Sequence, residues 1–156
     1  MQEYKVESFN LDHTKVVAPY IRVADRKEWQ GVTVTKFDIR FTQPNKEFLD
    51  PAAIHSLEHL LAEELRHQVD NIIDLSPMGC RTGFYLTVFG KHDPEWAEHT
   101  LRKALEEALL SREIPAKNET QCGNAALHNL EGARKAIKAF IAHSRTKLLD
   151  PFGNGS

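Results

Sequence analysis

Apolar and polar positions alternate early in the chain and recur at helical spacing further on. Val32 to Phe41 reads Val-Thr-Val-Thr-Lys-Phe-Asp-Ile-Arg-Phe. A strand there puts Phe37, Ile39 and Phe41 on one face and Lys36, Asp38 and Arg40 on the other. An apolar face backed by a charged one is the pattern of an antiparallel sheet with one polar side. On pattern alone, Arg40 reads as a solvated strand residue. Residues 1–45 as a whole read as mainly extended.

Asp50-Pro51 predicts a helix start. Asp50 can cap the free amides, and Pro51 fits the first helical position, where a missing N–H costs nothing. Ile54, Leu57, Leu61 and Leu65 then form an apolar stripe, with His55, Glu58, His59 and Ala62 on the adjoining one. Asn71 to Leu75 predicts a short strand running into the Pro77–Gly79 turn, and Phe84 to Phe89 predicts another. Asp93-Pro94 repeats the cap-and-proline signal before a helix carrying Ala97, Leu101, Leu105 and Leu109 inward. A last helix carries Leu130, Ala133, Ile137 and Phe140. Strands gathered early and in the middle, with three helices, predict an α+β fold: mainly antiparallel sheet, helices packed on one face.

A length of 156 residues suits one core, so residues 1–150 form a single domain and 151–156 a flexible tail. Lys plus Arg number 20 against 22 Asp plus Glu, a net charge of −2, and no basic-aromatic motif stands out. No nucleic-acid partner is therefore expected. The N-terminal residues lack the apolar core of a signal peptide, and no apolar run reaches the roughly 20 residues of a membrane span, so the expected location is the cytoplasm. In that reducing setting the two cysteines, Cys80 and Cys122, point to metal or catalytic chemistry sooner than to a disulfide, although many buried thiols do neither.

The chemistry concentrates in His55-Ser56-Leu57-Glu58-His59. Residues four apart on a helix are neighbours on one face, about 6 Å apart along the axis. His55 and His59 can therefore hold one divalent ion, and Glu58 lies on the same side. This HxxEH order is the inverse of the HExxH zinc-peptidase motif, with the Glu placed to move protons rather than to bind the ion. Cys122, at a turn before a helix, offers a soft third ligand. Two imidazoles and a thiolate suit a tetrahedral ion with one position left open, the mark of a catalytic site, and they suit zinc and ferrous iron alike. Glu131 is a rival third ligand on the peptidase reading, although it reads more simply as a surface carboxylate. His128 could complete a closed, non-catalytic shell, but it falls in the downstream helix region and is set aside. Cys80, in a glycine-flanked turn beside Arg81, is either a reactive thiol or an inert one.

Several stretches together resemble the LuxS family of S-ribosylhomocysteine lyases. They are Val6-Glu-Ser-Phe-Asn-Leu-Asp-His13, Ala18-Pro-Tyr20, Lys36-Phe-Asp-Ile-Arg-Phe41, Gln43-Pro-Asn45, Ile54-His-Ser-Leu-Glu-His-Leu-Leu61, Asp74-Leu-Ser-Pro-Met-Gly-Cys-Arg-Thr-Gly83, Gln121-Cys-Gly123 and His128-Asn-Leu-Glu131. The resemblance implies a homodimer with active sites near the subunit boundary. It implies one divalent metal per subunit on His55, His59 and Cys122, natively Fe2+, with Zn2+ or Co2+ possible. It implies Cys80 and Glu58 as acid–base residues, and Ser8, His13 and Arg40 as substrate contacts. The implied reaction cleaves S-ribosylhomocysteine to homocysteine and 4,5-dihydroxy-2,3-pentanedione, the precursor of autoinducer-2. An HxxEH metallopeptidase is the alternative, but it leaves Cys80, Cys122 and Arg40 without roles.

Overall fold

A computed structural model describes residues 2–155. Four strands, β1 (Tyr20–Trp29), β2 (Val32–Arg40), β3 (Ile72–Pro77) and β4 (Gly83–Phe89), form one sheet in the order β1-β2-β4-β3, every pair antiparallel. The helices are α1 (Glu7–Asn10), α2 (Pro51–Gln68), α3 (Pro94–Ala108), α4 (Leu130–Ile141) and α5 (Arg145–Leu148). This is the expected α+β architecture. The strands at 32–41, 71–75 and 84–89 fall where alternation places them, within one or two residues at each end.

Both predicted helix starts are capped as their sequences dictate. The Asp50 carboxylate accepts from the Ala53 amide at 3.1 Å, and the Asp93 carboxylate accepts from the Trp96 amide at 2.8 Å. In α2 the stripe Ile54, Leu57, Leu61, Leu65 is buried. It meets Phe37 and Ile39 of β2, Phe84 and Leu86 of β4, and Leu101 and Leu105 of α3 in one core. Ala133, Ile137 and Phe140 bring α4 into the same core.

Among the described residues the opposite sheet face carries no long helix, and it departs from the expected solvated surface. Asp38 is 0% exposed and Arg40 1%. Two unpaired charges could not be held there, because desolvating each costs several kcal/mol. They are held as a set. The Asp38 carboxylate accepts from Tyr20 Oη (2.9 Å), from Arg22 Nε (2.9 Å) and from Arg40 Nε and Nη2 (3.1 and 2.8 Å). Arg22 also reaches Glu7 of α1 at 2.7 Å. That pair ties a one-turn helix to the sheet within a segment expected to be extended. Burial, then the Asp38 charge, pushes the Tyr20 pKa up, so its hydroxyl stays a donor.

The β3–β4 connection carries Cys80 at its tip. The Met78 amide donates to the Gly83 carbonyl and the Arg81 amide to the Met78 carbonyl. From outside, the Phe41 and Thr42 amides donate to the Thr82 carbonyl, and the Leu49 amide to the Arg81 carbonyl. Gly83 sits opposite Arg40, and a β-carbon there would overlap the Ile39 carbonyl oxygen. Only glycine lets the two strands approach so closely. At the C-terminus the Asn154 and Gly155 amides donate to the Asp150 carboxylate, and Ser156 lies outside the described residues.

Candidate metal centre

His55 and His59 stand one turn apart on α2, and the segment between α3 and α4 closes over them. His55 Nδ1 lies 2.6 Å from the Leu127 carbonyl oxygen, and His59 Nδ1 lies 2.7 Å from that of Pro115. A carbonyl oxygen can only accept, so both Nδ1 atoms carry the proton and both Nε2 atoms present a lone pair. The backbone thereby selects the tautomer a metal ligand needs.

Cys122 is placed by a turn in which its amide donates to the Asn118 carbonyl. Its Sγ lies 3.6 Å from His55 Nε2 and 3.7 Å from His59 Nε2. A tetrahedral ion with bonds of about 2.3 Å to sulfur and about 2.0–2.1 Å to nitrogen separates such atoms by about 3.6 Å. The donor set and its spacing therefore fit a divalent metal.

The structure adds a residue that the sequence reading set aside. His128 lies just before α4 rather than within it, and its Nε2 is 3.6 Å from Cys122 Sγ. The four donor atoms of His55, His59, Cys122 and His128 lie within 4.8 Å of one another. His128 stacks on His55, with ring centroids 4.0 Å apart. Its Nδ1 is 3.0 Å from Ser56 Oγ, which in turn accepts from the Asn129 amide. Burial, then the neighbouring His55 and His59, pushes the His128 pKa down to about 4. The signal that could have found it is its place six residues after Cys122, inside the same short closing segment.

Glu131, the rival ligand, is excluded from the cluster. Its side chain is 81% exposed and pairs with Arg134 at 2.8 Å. Glu58 is half-buried beside His59, and the two line a cavity of about 270 Å³ with Asp74, Leu75 and Pro115. A separate depression of about 790 Å³, near Asn71, His92 and Trp96, touches none of the candidate residues.

Of the remaining candidates, Cys80 and Arg40 meet through Thr82 at the buried charges of the open sheet face. Cys80 is exposed and free, with its Sγ 3.1 Å from Thr82 Oγ1. Thr82 Oγ1 accepts from Arg40 Nη1 at 3.1 Å. Arg40 therefore commits three of its five N–H groups to Asp38 and Thr82. Ser8 stands beside Tyr85, and half-buried His13 places Nδ1 2.9 Å from the Leu11 carbonyl. The metal group thus stands on α2 and the segment that closes over it, while Cys80 stands on the β3–β4 connection.

Comparison with known proteins shows the family. The family model described as S-Ribosylhomocysteinase (LuxS) matches residues 6–149. The chain is 49% identical over 156 residues to the S-ribosylhomocysteine lyase of Staphylococcus haemolyticus, covering 99% of each. It is 51% identical over 137 residues to the S-ribosylhomocysteine lyase of Helicobacter pylori strain J99, covering 87% of this chain and 90% of that one.

Proposed function

The chain belongs to the S-ribosylhomocysteinase (LuxS) family, and from that premise we propose that it cleaves the thioether of S-ribosylhomocysteine. The products are homocysteine and 4,5-dihydroxy-2,3-pentanedione, the autoinducer-2 precursor. The observation that carries the reading is the convergence of the His55, His59 and Cys122 donors at metal spacing beside Glu58. An HxxEH peptidase explains none of Cys80, Cys122 and Arg40.

We assign the divalent ion, natively Fe2+, to His55, His59 and Cys122. When bound, it supplies Lewis acidity toward a substrate oxygen and so makes the adjacent C–H acidic. The side chains do the rest. Glu58, on the helix that carries both histidines, takes and returns protons on carbons beside the carbonyl. Cys80 serves as the second acid–base group. Proton transfers walk the carbonyl from C1 to C2 and then to C3, which leaves the C–S bond β to an acidic proton. Homocysteine then departs by β-elimination. Atoms balance without water or an external oxidant, because the reaction only rearranges the sugar and expels a thiol. Ser8, His13 and Arg40 are assigned to the substrate side of the site, Arg40 acting from within the Asp38–Thr82 network.

We also propose a homodimer whose active sites lie near the subunit boundary. The open sheet face supports it: Trp29, Val32 and Phe89 lie side by side there, and Trp29 is 75% exposed. An apolar patch on an uncovered sheet face is most simply closed by a partner. A cytoplasmic location belongs to the same proposal. Both cysteines are free, and no helix among the described residues is long and apolar enough to cross a membrane.

The test is thiol release from S-ribosylhomocysteine by iron-loaded protein under anaerobic conditions. Wild type is expected to release homocysteine. Cys80→Ala is expected to keep its metal and lose turnover, and Cys122→Ala to lose metal affinity. Normal turnover by Cys80→Ala, or full metal retention by Cys122→Ala, would sink the corresponding assignment.

A further inference from the structure

Thr82 has no part in the reading above, yet it stands between a buried cation and the proposed acid–base thiol. It is 1% exposed. An arginine can only donate, so the Arg40 Nη1 contact at 3.1 Å makes Thr82 Oγ1 an acceptor there. The hydroxyl keeps one proton of its own. Its remaining side-chain partner among the described residues is Cys80 Sγ, also at 3.1 Å. If Cys80 donated instead, the Thr82 proton would be buried without an acceptor, at a cost that folded proteins avoid.

We propose that Thr82 is a positioning residue for Cys80, receiving a hydrogen bond from Arg40 and giving its own proton to Cys80 Sγ, so that the sulfur is held as a proton acceptor. Arg40 is itself aimed by Asp38, which takes its other two contacts. The chain Asp38–Arg40–Thr82–Cys80 therefore orients one donor at the sulfur. The Thr82 carbonyl accepts from the Phe41 and Thr42 amides, which fixes the backbone that carries the hydroxyl.

Charge in the surroundings does not replace this bond. The titratable groups of the surrounding network are Arg40 and Asp38 from β2, Tyr20 and Arg22 from β1, Tyr85 from β4 and Glu7 from α1, with Arg81 next in the chain. Arg22 and Arg40 are offset by Glu7 and Asp38, so of this set only Arg81 adds unpaired charge. The directed O–H is what the Thr82 side chain adds to a thiolate. A hydrogen bond to a charged sulfur stabilises it by roughly the equivalent of a tenfold change in equilibrium.

The test is pH-dependent alkylation of Cys80 in the metal-loaded protein, read by peptide mass so that Cys122 does not interfere. Alkylation tracks the thiolate. Thr82→Val and Thr82→Ala are expected to move the midpoint up by about one pH unit and to slow alkylation roughly tenfold at pH values below the wild-type midpoint. Thr82→Ser is expected to stay near wild type. Metal content should not change, and kcat should fall with KM nearly constant. The pairing of two hydroxyl-less variants lets either one decide if the other fails to fold. An unchanged midpoint in a folded hydroxyl-less variant overturns the proposal, and so does a Thr82→Ser midpoint displaced as far as that of Thr82→Val. The proposal rests on Cys80 acting in the lyase reaction, but alkylation reads the sulfur directly. A shifted midpoint with unchanged turnover would uphold the role of Thr82 at the sulfur and remove Cys80 from the mechanism.

Discussion

Replacing Asp38 by Asn should destabilise the protein far more than a surface substitution does. The carboxylate is fully buried and accepts four hydrogen bonds, from Tyr20, Arg22 and, twice, Arg40. Asn keeps the shape but removes the charge and turns an amide NH2 toward guanidinium donors. Breaking a buried ion pair from one side costs about 3–5 kcal/mol, chiefly through the cation left behind. Here two cations are left, but unequally. Arg22 keeps Glu7 at 2.7 Å, whereas Arg40 is 1% exposed and keeps only the neutral Thr82. The loss should therefore lie near the lower end, about 3 kcal/mol, still a large part of the roughly 5–15 kcal/mol that holds a domain folded. Urea denaturation of the metal-loaded protein measures it, read as a lower midpoint at unchanged slope. A double variant, Asp38→Leu with Arg40→Met, should lose less than Asp38→Asn alone, because no cation is stranded at position 40. A loss under about 1 kcal/mol for Asp38→Asn, or a double variant weaker than the single, would refute the view that stranded charge dominates.

Three further outcomes are expected. Gly83→Ala should lower stability by at least about 1–3 kcal/mol in the same denaturation experiment, because its methyl meets the Ile39 carbonyl and Arg40 Cα; wild-type stability would remove the close-approach argument. In metal-free protein the folded-state pKa of His128 is about 4 against an ordinary 6.5. The unfolded chain therefore binds the extra proton in that window, and stability should fall as pH drops from 6.5 toward 4 while His128 contributes no pH dependence above it. His128→Asn should flatten that slope, and a slope equal to wild type would count against the assignment. Glu131→Gln should leave the metal content per subunit unchanged by elemental analysis, since its carboxylate points to solvent; a fall would return Glu131 to the ligand set.

Local signals were enough for α2, α3, α4 and strands β2 to β4, though not for the one-turn helices α1 and α5, and for half of the metal site. Asp50-Pro51 and the stripe from Ile54 to Leu65 define α2 because capping and side-chain periodicity act within one or two turns. The i, i+4 spacing of His55 and His59 then follows from helix geometry alone. Phe37, Ile39 and Phe84 point inward because strand alternation obliges them to. Cys122 and Cys80 are candidates by the chemistry of their donor atoms, and the family resemblance supplies the roles of Cys80, Ser8, His13 and Arg40.

Tertiary structure alone decided the rest. His128 joins the donors because the segment before α4 folds back over α2, bringing it to Ser56 across 72 positions of chain. No periodicity encodes that contact. Arg40 looked solvated because alternation assigns a residue to a face but does not say whether that face is wet. Its burial depends on Tyr20, Asp38 and Thr82, the last 42 positions away. The tautomers of His55 and His59 depend likewise on the carbonyls of Leu127 and Pro115. The sequence by itself determined which side chains were available and which face of each element they occupy, since those follow from backbone geometry within a few residues. Only the fold decided which of them share a hydrogen bond, because such a bond needs atoms within about 3 Å and therefore the closed path of the whole chain.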